Sequence, residues 1–155
     1  MEGLSKITAA PKEVMIGANK ELLYPLRFLE WGQLEQWMRS EIVNAAAKTI
    51  LKVESKEAII VMRSAHLVAA QVSILQCLRG STGDVEETMA FLRSFEGMLR
   101  VLQLSLRDSG AKEAGSKYTL SQLDDLMKGD VTALHVLFLD ILDISFPSLR
   151  EPEKN

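Results

Sequence analysis

Apolar positions recur along this chain at two different periods. Glu13-Val14-Met15-Ile16 and Glu21-Leu22-Leu23-Tyr24 are short apolar runs on either side of Gly17-Ala18-Asn19-Lys20. Gly and Asn tolerate the backbone of a tight turn, so the pair predicts a β-hairpin, closed by Pro25. From Leu29 the spacing changes to three and four. Leu34, Trp37, Met38, Ile42 and Val43 predict a helix from Leu29 to about Leu51, with Gly32 weakening its start. Ser55 is the expected N-cap of the next helix, Lys56 to Leu78. There Ile59, Ile60, Met62, Leu67, Val68, Val72, Ile74 and Leu75 cover more than half of the circumference. A helix so apolar is expected either at the centre of the fold or under another subunit.

The second half is punctuated by caps. Gly80-Ser81-Thr82-Gly83 stops the apolar helix, and Asp84 to Glu87 reads as a capping box. Met89, Leu92 and Phe95 share the next face. Glu96-Gly97 reads as a break before a leucine-rich stretch from Met98 to Arg107. Asp108 to Lys117 is polar, with two glycines. Thr119 and Gln122 form a second capping box, opening a short helix with Leu123, Leu126 and Met127 that Lys128-Gly129 ends. Asp130 caps a last helix, Val131 to Ile144. The expected fold is mostly α, a compact bundle of five or six helices with a short N-terminal β-hairpin. It forms a single domain over 13–146 (hairpin 13–26, helices 29–144), between a flexible arm, 1–12, and a flexible tail, 147–155. The expected core comprises Leu34, Trp37, Ile59, Met62, Val68, Leu75, Leu99, Leu102, Leu126, Leu137 and Ile141.

Composition narrows the function. At 155 residues and 47% hydrophobic, the chain can build a core without metal or disulfide. Net charge is −3. The first 80 residues are mildly basic and the rest acidic, with no cluster of Lys and Arg to neutralise phosphates or meet an anionic membrane. No nucleic-acid or membrane partner is therefore expected. Cys77 stands alone in an apolar stretch and reads as a buried small hydrophobe. The N-terminus lacks a secretion signal and no apolar run approaches the ~20 residues of a membrane span, so a cytoplasmic location is expected.

Candidate chemistry is sparse. His66 and His135 have no Cys, Asp or Glu four residues away to complete a helical ligand pair. Asp124-Asp125, and Asp140 with Asp143, read as solvated faces. No catalytic, metal or cofactor-binding residue is assigned. The candidate partner-binding residues are Trp31, Met62, Leu67 and Ile74. Trp31 lies six residues from Trp37 and so on a different face, as an exposed aromatic anchor. The other three are large apolar side chains of the 56–78 helix.

Three stretches resemble the small tail assembly chaperones of long-tailed bacteriophages and prophages. They are Val14 to Leu26 followed by Gln33-Leu34-Glu35-Gln36-Trp37, then Met98 to Arg107, then Tyr118 to Met127 with a closing helix ending Leu142-Asp143-Ile144-Ser145. Together they cover about two-thirds of the chain. The resemblance implies a non-enzymatic protein that binds the tape measure protein, or another tail protein, while the tail assembles in the bacterial cytoplasm. It also implies a longer frameshifted form, for which Glu153-Lys154-Asn155 is a candidate slip site. The alternatives are a structural minor tail or head-completion protein, or a helical regulator that forms a homo-oligomer through the 56–78 helix.

Overall fold

The computed structural model describes residues 10–51, 54–74, 90–107 and 116–146. They are mostly helical, behind an antiparallel N-terminal hairpin, as the sequence pattern predicts. Strands β1 (Lys12–Ile16) and β2 (Asn19–Leu23) are followed by α1 (Phe28–Ile50), α2 (Ser55–Gln71), α3 (Phe95–Ser105), α4 (Leu120–Met127) and α5 (Val131–Ser145). Residues 90–93 are also helical. The chain divides into two compact units, one of Met1–Glu30 with Arg93–Asn155, the other of Trp31–Leu92. The expectation of a single domain over 13–146 did not include this division, which falls inside α1.

In the first unit, Ile16 pairs with Asn19, leaving Gly17 and Ala18 as the turn. Gly17 has φ +60° and Ala18 does not share the positive φ, the arrangement that matches strand twist in two-residue hairpins. The turn is thus tighter than Gly17 to Lys20. Alternation buries Ile16, Glu21 and Leu23 on one face and exposes Glu13, Met15, Lys20 and Leu22 on the other. Helix α3 starts at Phe95, before the expected break at Glu96-Gly97. The Ser94 hydroxyl accepts from the Gly97 N–H at 3.0 Å, so Gly97 sits inside the capped first turn instead of ending a helix.

Met98, Leu99, Val101 and Leu102 of α3 are buried, and the helix packs on α4 and α5. Leu123 and Met127 of α4, and Leu134, Leu137, Phe138 and Ile141 of α5, complete this core. Each such side chain contributes about 1.5–3 kcal/mol of transfer free energy. Both expected caps form here. Thr119 Oγ1 accepts from Gln122 N at 3.2 Å while Gln122 Oε1 accepts from Thr119 N at 2.9 Å, and Asp130 Oδ1 accepts from Ala133 N at 2.9 Å. Lys128 and Gly129 take positive φ at the end of α4. The hairpin exit is tied to the helices by Tyr24 N to Ser105 O at 3.0 Å and Ser105 Oγ to Tyr24 O at 2.8 Å. Leu26 N donates to Ser145 Oγ at 3.0 Å.

Helix α1 begins at Phe28 despite Gly32. The Arg27 N–H donates back to Glu30 Oε2 at 2.5 Å, so a glutamate in the first turn satisfies a donor that a helix start leaves open. In the second unit Trp31, Leu34 and Met38 form the buried stripe of α1. Helix α2 ends at Gln71, not Leu78, and its N-cap is Glu54, with Ser55 already helical and no side-chain cap bond. Beyond it the chain is fastened to α1. Arg39 Nη2 donates to Val72 O at 3.0 Å and Ile74 N donates to Glu35 Oε1 at 2.8 Å.

Leu34, Leu99, Leu102, Leu137 and Ile141 are buried as expected. Trp37, Met62 and Leu126 are half-buried, and Ile59 and Val68 face outward. Helix α2 therefore does not hold the central position that its composition suggested. Leu75, Cys77, the 80–83 turn, the 84–87 capping box, the 147–155 tail and nearly all of the 1–12 arm and the 108–117 loop lie outside the described residues. No helix among the described residues is long and apolar enough to cross a membrane.

Candidate partner-binding face

The two sides of α2 differ in side-chain size. Ala65 and Ala69, one turn apart, are its buried residues, and Ala58, Val61 and Met62 beside them are half-buried. Alanines allow a close approach of the backbone but bring little apolar surface inward. The large aliphatic side chains point the other way. Ile60 and Leu67, two turns apart, centre the outer side at 65% and 68% exposed, flanked by Ile59 at 56% and Val68 at 41%. Lys56, Arg63, Ser64 and Gln71 are interspersed and exposed. Four large exposed aliphatic side chains on one short helix, even with polar residues between them, differ from the single exposed hydrophobes common on any surface.

Of the four candidate residues, Leu67 lies on this outer side. Met62 lies half-buried on the inner side, and Ile74 is fully buried. Trp31 is corrected outright: at 4% exposed it is core, not an exposed anchor. It stands three residues before Leu34 and seven before Met38, so it heads the buried stripe of α1, while Trp37 is the tryptophan displaced from it. The structure therefore does not gather the four into one site. Ile59, Ile60 and Val68 belong to the outer face and were not singled out. Their signal was the i, i+7, i+11 spacing of Ala58, Ala65 and Ala69, which puts the three on one side of the helix and marks its close-packed face.

The buried charges lie in the first unit. Glu30, 1% exposed, accepts from Arg27 Nε at 2.9 Å and from Arg107 Nη1 at 3.1 Å. Arg107 also donates to Pro25 O at 3.1 Å and lies over the Tyr24 ring. Glu21, 8% exposed, accepts from Lys117 Nζ at 2.9 Å and from the Tyr118 hydroxyl. Burial pushes both carboxyls up. The hydrogen bonds from Tyr118 and Lys117 outweigh it at Glu21, and those from Arg27, with the Arg107 charge, outweigh it at Glu30, so both lie below the usual carboxylate range. Donating to Glu21 raises the Tyr118 phenol, and burial adds to that rise. A cavity of about 230 Å³ lies beside Glu21, Tyr24, Arg107 and Lys117. Its acids and bases are engaged with one another, which makes the cluster a fastening between the hairpin, the start of α1 and the two ends of the 107–117 segment.

His66 borders an open groove with Gln36, Arg39 and Asn44, and His135 stacks on Phe138. Asp140 pairs with Lys12 at 2.7 Å. Among the described residues, no three or more His, Cys, Asp or Glu are grouped to hold a metal ion. No family model, curated protein or solved structure matches the chain.

Proposed function

We propose that the chain is a non-enzymatic phage tail assembly chaperone that covers an apolar helical segment of the tape measure protein in the cytoplasm of the bacterial host. The observation that carries the binding role is the outer face of α2, where Ile59, Ile60, Leu67 and Val68 are held in solvent on a helix whose inner side is alanine. Of these, Ile60 and Leu67 stand at i and i+7, one of the anchor relations of helix-in-groove recognition. The tail-assembly context comes from the sequence resemblance: hairpin, leucine-rich helix, Thr-capped short helix and closing helix follow one another in the order described above.

The test is co-expression of the full chain with overlapping fragments of a tape measure protein encoded beside it. A fragment with an apolar helical stripe should co-purify with the wild-type chain and be lost with Leu67→Glu. Capture of no fragment by a folded wild-type chain would overturn the chaperone reading. Finding the chain as a stoichiometric component of purified virions would replace it with the structural tail-protein reading.

A further inference from the structure

We propose that the groove between α1 and α2 is a carboxylate-binding site, which takes an acidic side chain of the helical partner. The preference for a carboxylate stands on the groove itself, and the identity of its bearer rests on the function proposed above. Both walls belong to the second unit, and the groove holds about 480 Å³. Helix α1 lines it with Gln36, Arg39, Ser40 and Asn44, spaced i, i+3, i+4 and i+8. From α2 come His66 and two alanines, Ala69 and Ala70, which leave the space open. Two side-chain amides, a guanidinium and an imidazole can all donate to an anion. Among the described residues that line the groove, none is acidic.

Arg39 is the side chain that points to a ligand. Its guanidinium has five N–H donors, and among the described residues it makes one hydrogen bond, from Nη2 to Val72 O at 3.0 Å. Its Nε is buried with no partner among them. Glu35 stands 3.9 Å from Nη2, beyond hydrogen-bond reach, and its Oε1 already accepts from Ile74 N at 2.8 Å. The bond to Val72 O fixes the fork while 40% of the side chain stays exposed. A fixed guanidinium with donors to spare suits a planar anion that accepts two parallel bonds. One permanent cation among neutral donors balances one negative charge, so a carboxylate matches the groove better than a doubly charged phosphate. The groove is open, so a free carboxylate is held weakly and one carried on a larger surface is held better. Ile59, 56% exposed, stands seven residues before His66 and so on the same side of α2. A helix resting on that isoleucine lies beside the groove.

Proton NMR of the full chain tests the site without any partner. The chain has two histidines, and His135, in the other unit, is the control. The probe is N-acetyl glutamate amide, which carries one side-chain carboxylate, and N-acetyl glutamine amide is its uncharged counterpart. At constant pH and ionic strength, the His66 ring resonances should move saturably at roughly millimolar glutamate probe. Those of His135 should stay, and the glutamine compound should move neither. Asn44→Asp, at an exposed position, sets a like charge in the groove and should weaken the probe about tenfold at an unchanged melting temperature. Arg39→Lys keeps the charge, loses the fork and should weaken it several-fold. No saturable movement of His66, equal movement with the glutamine compound, tighter binding of inorganic phosphate, or a response untouched by Asn44→Asp would overturn the site. In the partner arm, replacing the acids of a captured tape-measure fragment by Asn and Gln should weaken its binding to the wild-type chain about tenfold and its binding to Asn44→Asp not at all. A fragment whose neutralisation changes nothing overturns the acidic-partner assignment. A chain that binds the probe and captures no fragment overturns the function alone.

Discussion

In the unit that carries the hairpin, helices α3 and α5 turn Leu99, Leu102, Leu134 and Phe138 inward. In the other unit, α2 turns Ala65 and Ala69 inward and leaves Ile60 and Leu67 in solvent. Both sets of helices are rich in apolar residues, so apolar content does not decide which helix is buried. The position of the small side chains does. A helix that packs through leucine and phenylalanine spends its large groups on its own core, and one that packs through alanine keeps them for something else.

The contrast can be broken by mutation. Leu102→Ala, at a fully buried site of the first unit, should destabilise by about 2–5 kcal/mol in urea unfolding. A value under about 0.5 kcal/mol would put that leucine on the surface. Glu30→Gln should lose about 2–3 kcal/mol, because it weakens bonds to two arginines, and Arg107 is left mostly buried.

The same fastenings give the first unit a pH dependence. Glu21 and Glu30 have lowered carboxyls when folded. Their contribution is complete above the unfolded value of about 4.3 and is lost as pH falls through the lower folded values. Tyr118 works at the other end. Its raised phenol contributes fully below the unfolded value of about 10, and that contribution is lost as pH rises through the folded value. Urea titrations across pH should show both limbs. Glu21→Gln should shrink the acid limb and Tyr118→Phe should remove the alkaline one.

Thr119→Ala should lose about 1 kcal/mol by deleting one half of the capping box. Leu67→Ala should change stability by no more than about 0.5 kcal/mol, since its side chain leaves little contact behind. A larger loss would place α2 inside a core and remove the contrast between the units.

What was legible in the sequence was local. The hairpin, the Thr119–Gln122 box and the Asp130 cap each lie within a few residues and carry their own hydrogen-bond logic. The direction of α2 was not legible from its large apolar residues, because they occur on both sides; the alanines and the placing of Lys56, Arg63, Ser64 and Gln71 carried it. Trp31 and Trp37 were correctly separated onto different faces, but spacing alone did not say which joined Leu34 and Met38. The carboxylate fastenings were hidden for another reason. Glu30 meets Arg107 across 77 residues and Glu21 meets Lys117 across 96, and nothing near a surface-looking glutamate announces a cation so distant along the chain.

Arg107 and Ser116 form an isolated antiparallel bridge, and Lys117 N donates to Leu106 O at 3.0 Å. With Arg107 anchored to Glu30 and Lys117 to Glu21, the two ends of the 108–115 segment are held close together within the first unit. Whatever is spliced between those residues has its entry and exit already fixed together. Doubling the length there adds only about 0.6 kcal/mol of closure entropy. An epitope tag or a small fluorescent domain inserted between Arg107 and Ser116 would label the protein while the α2 face, on the other unit, keeps its own sequence.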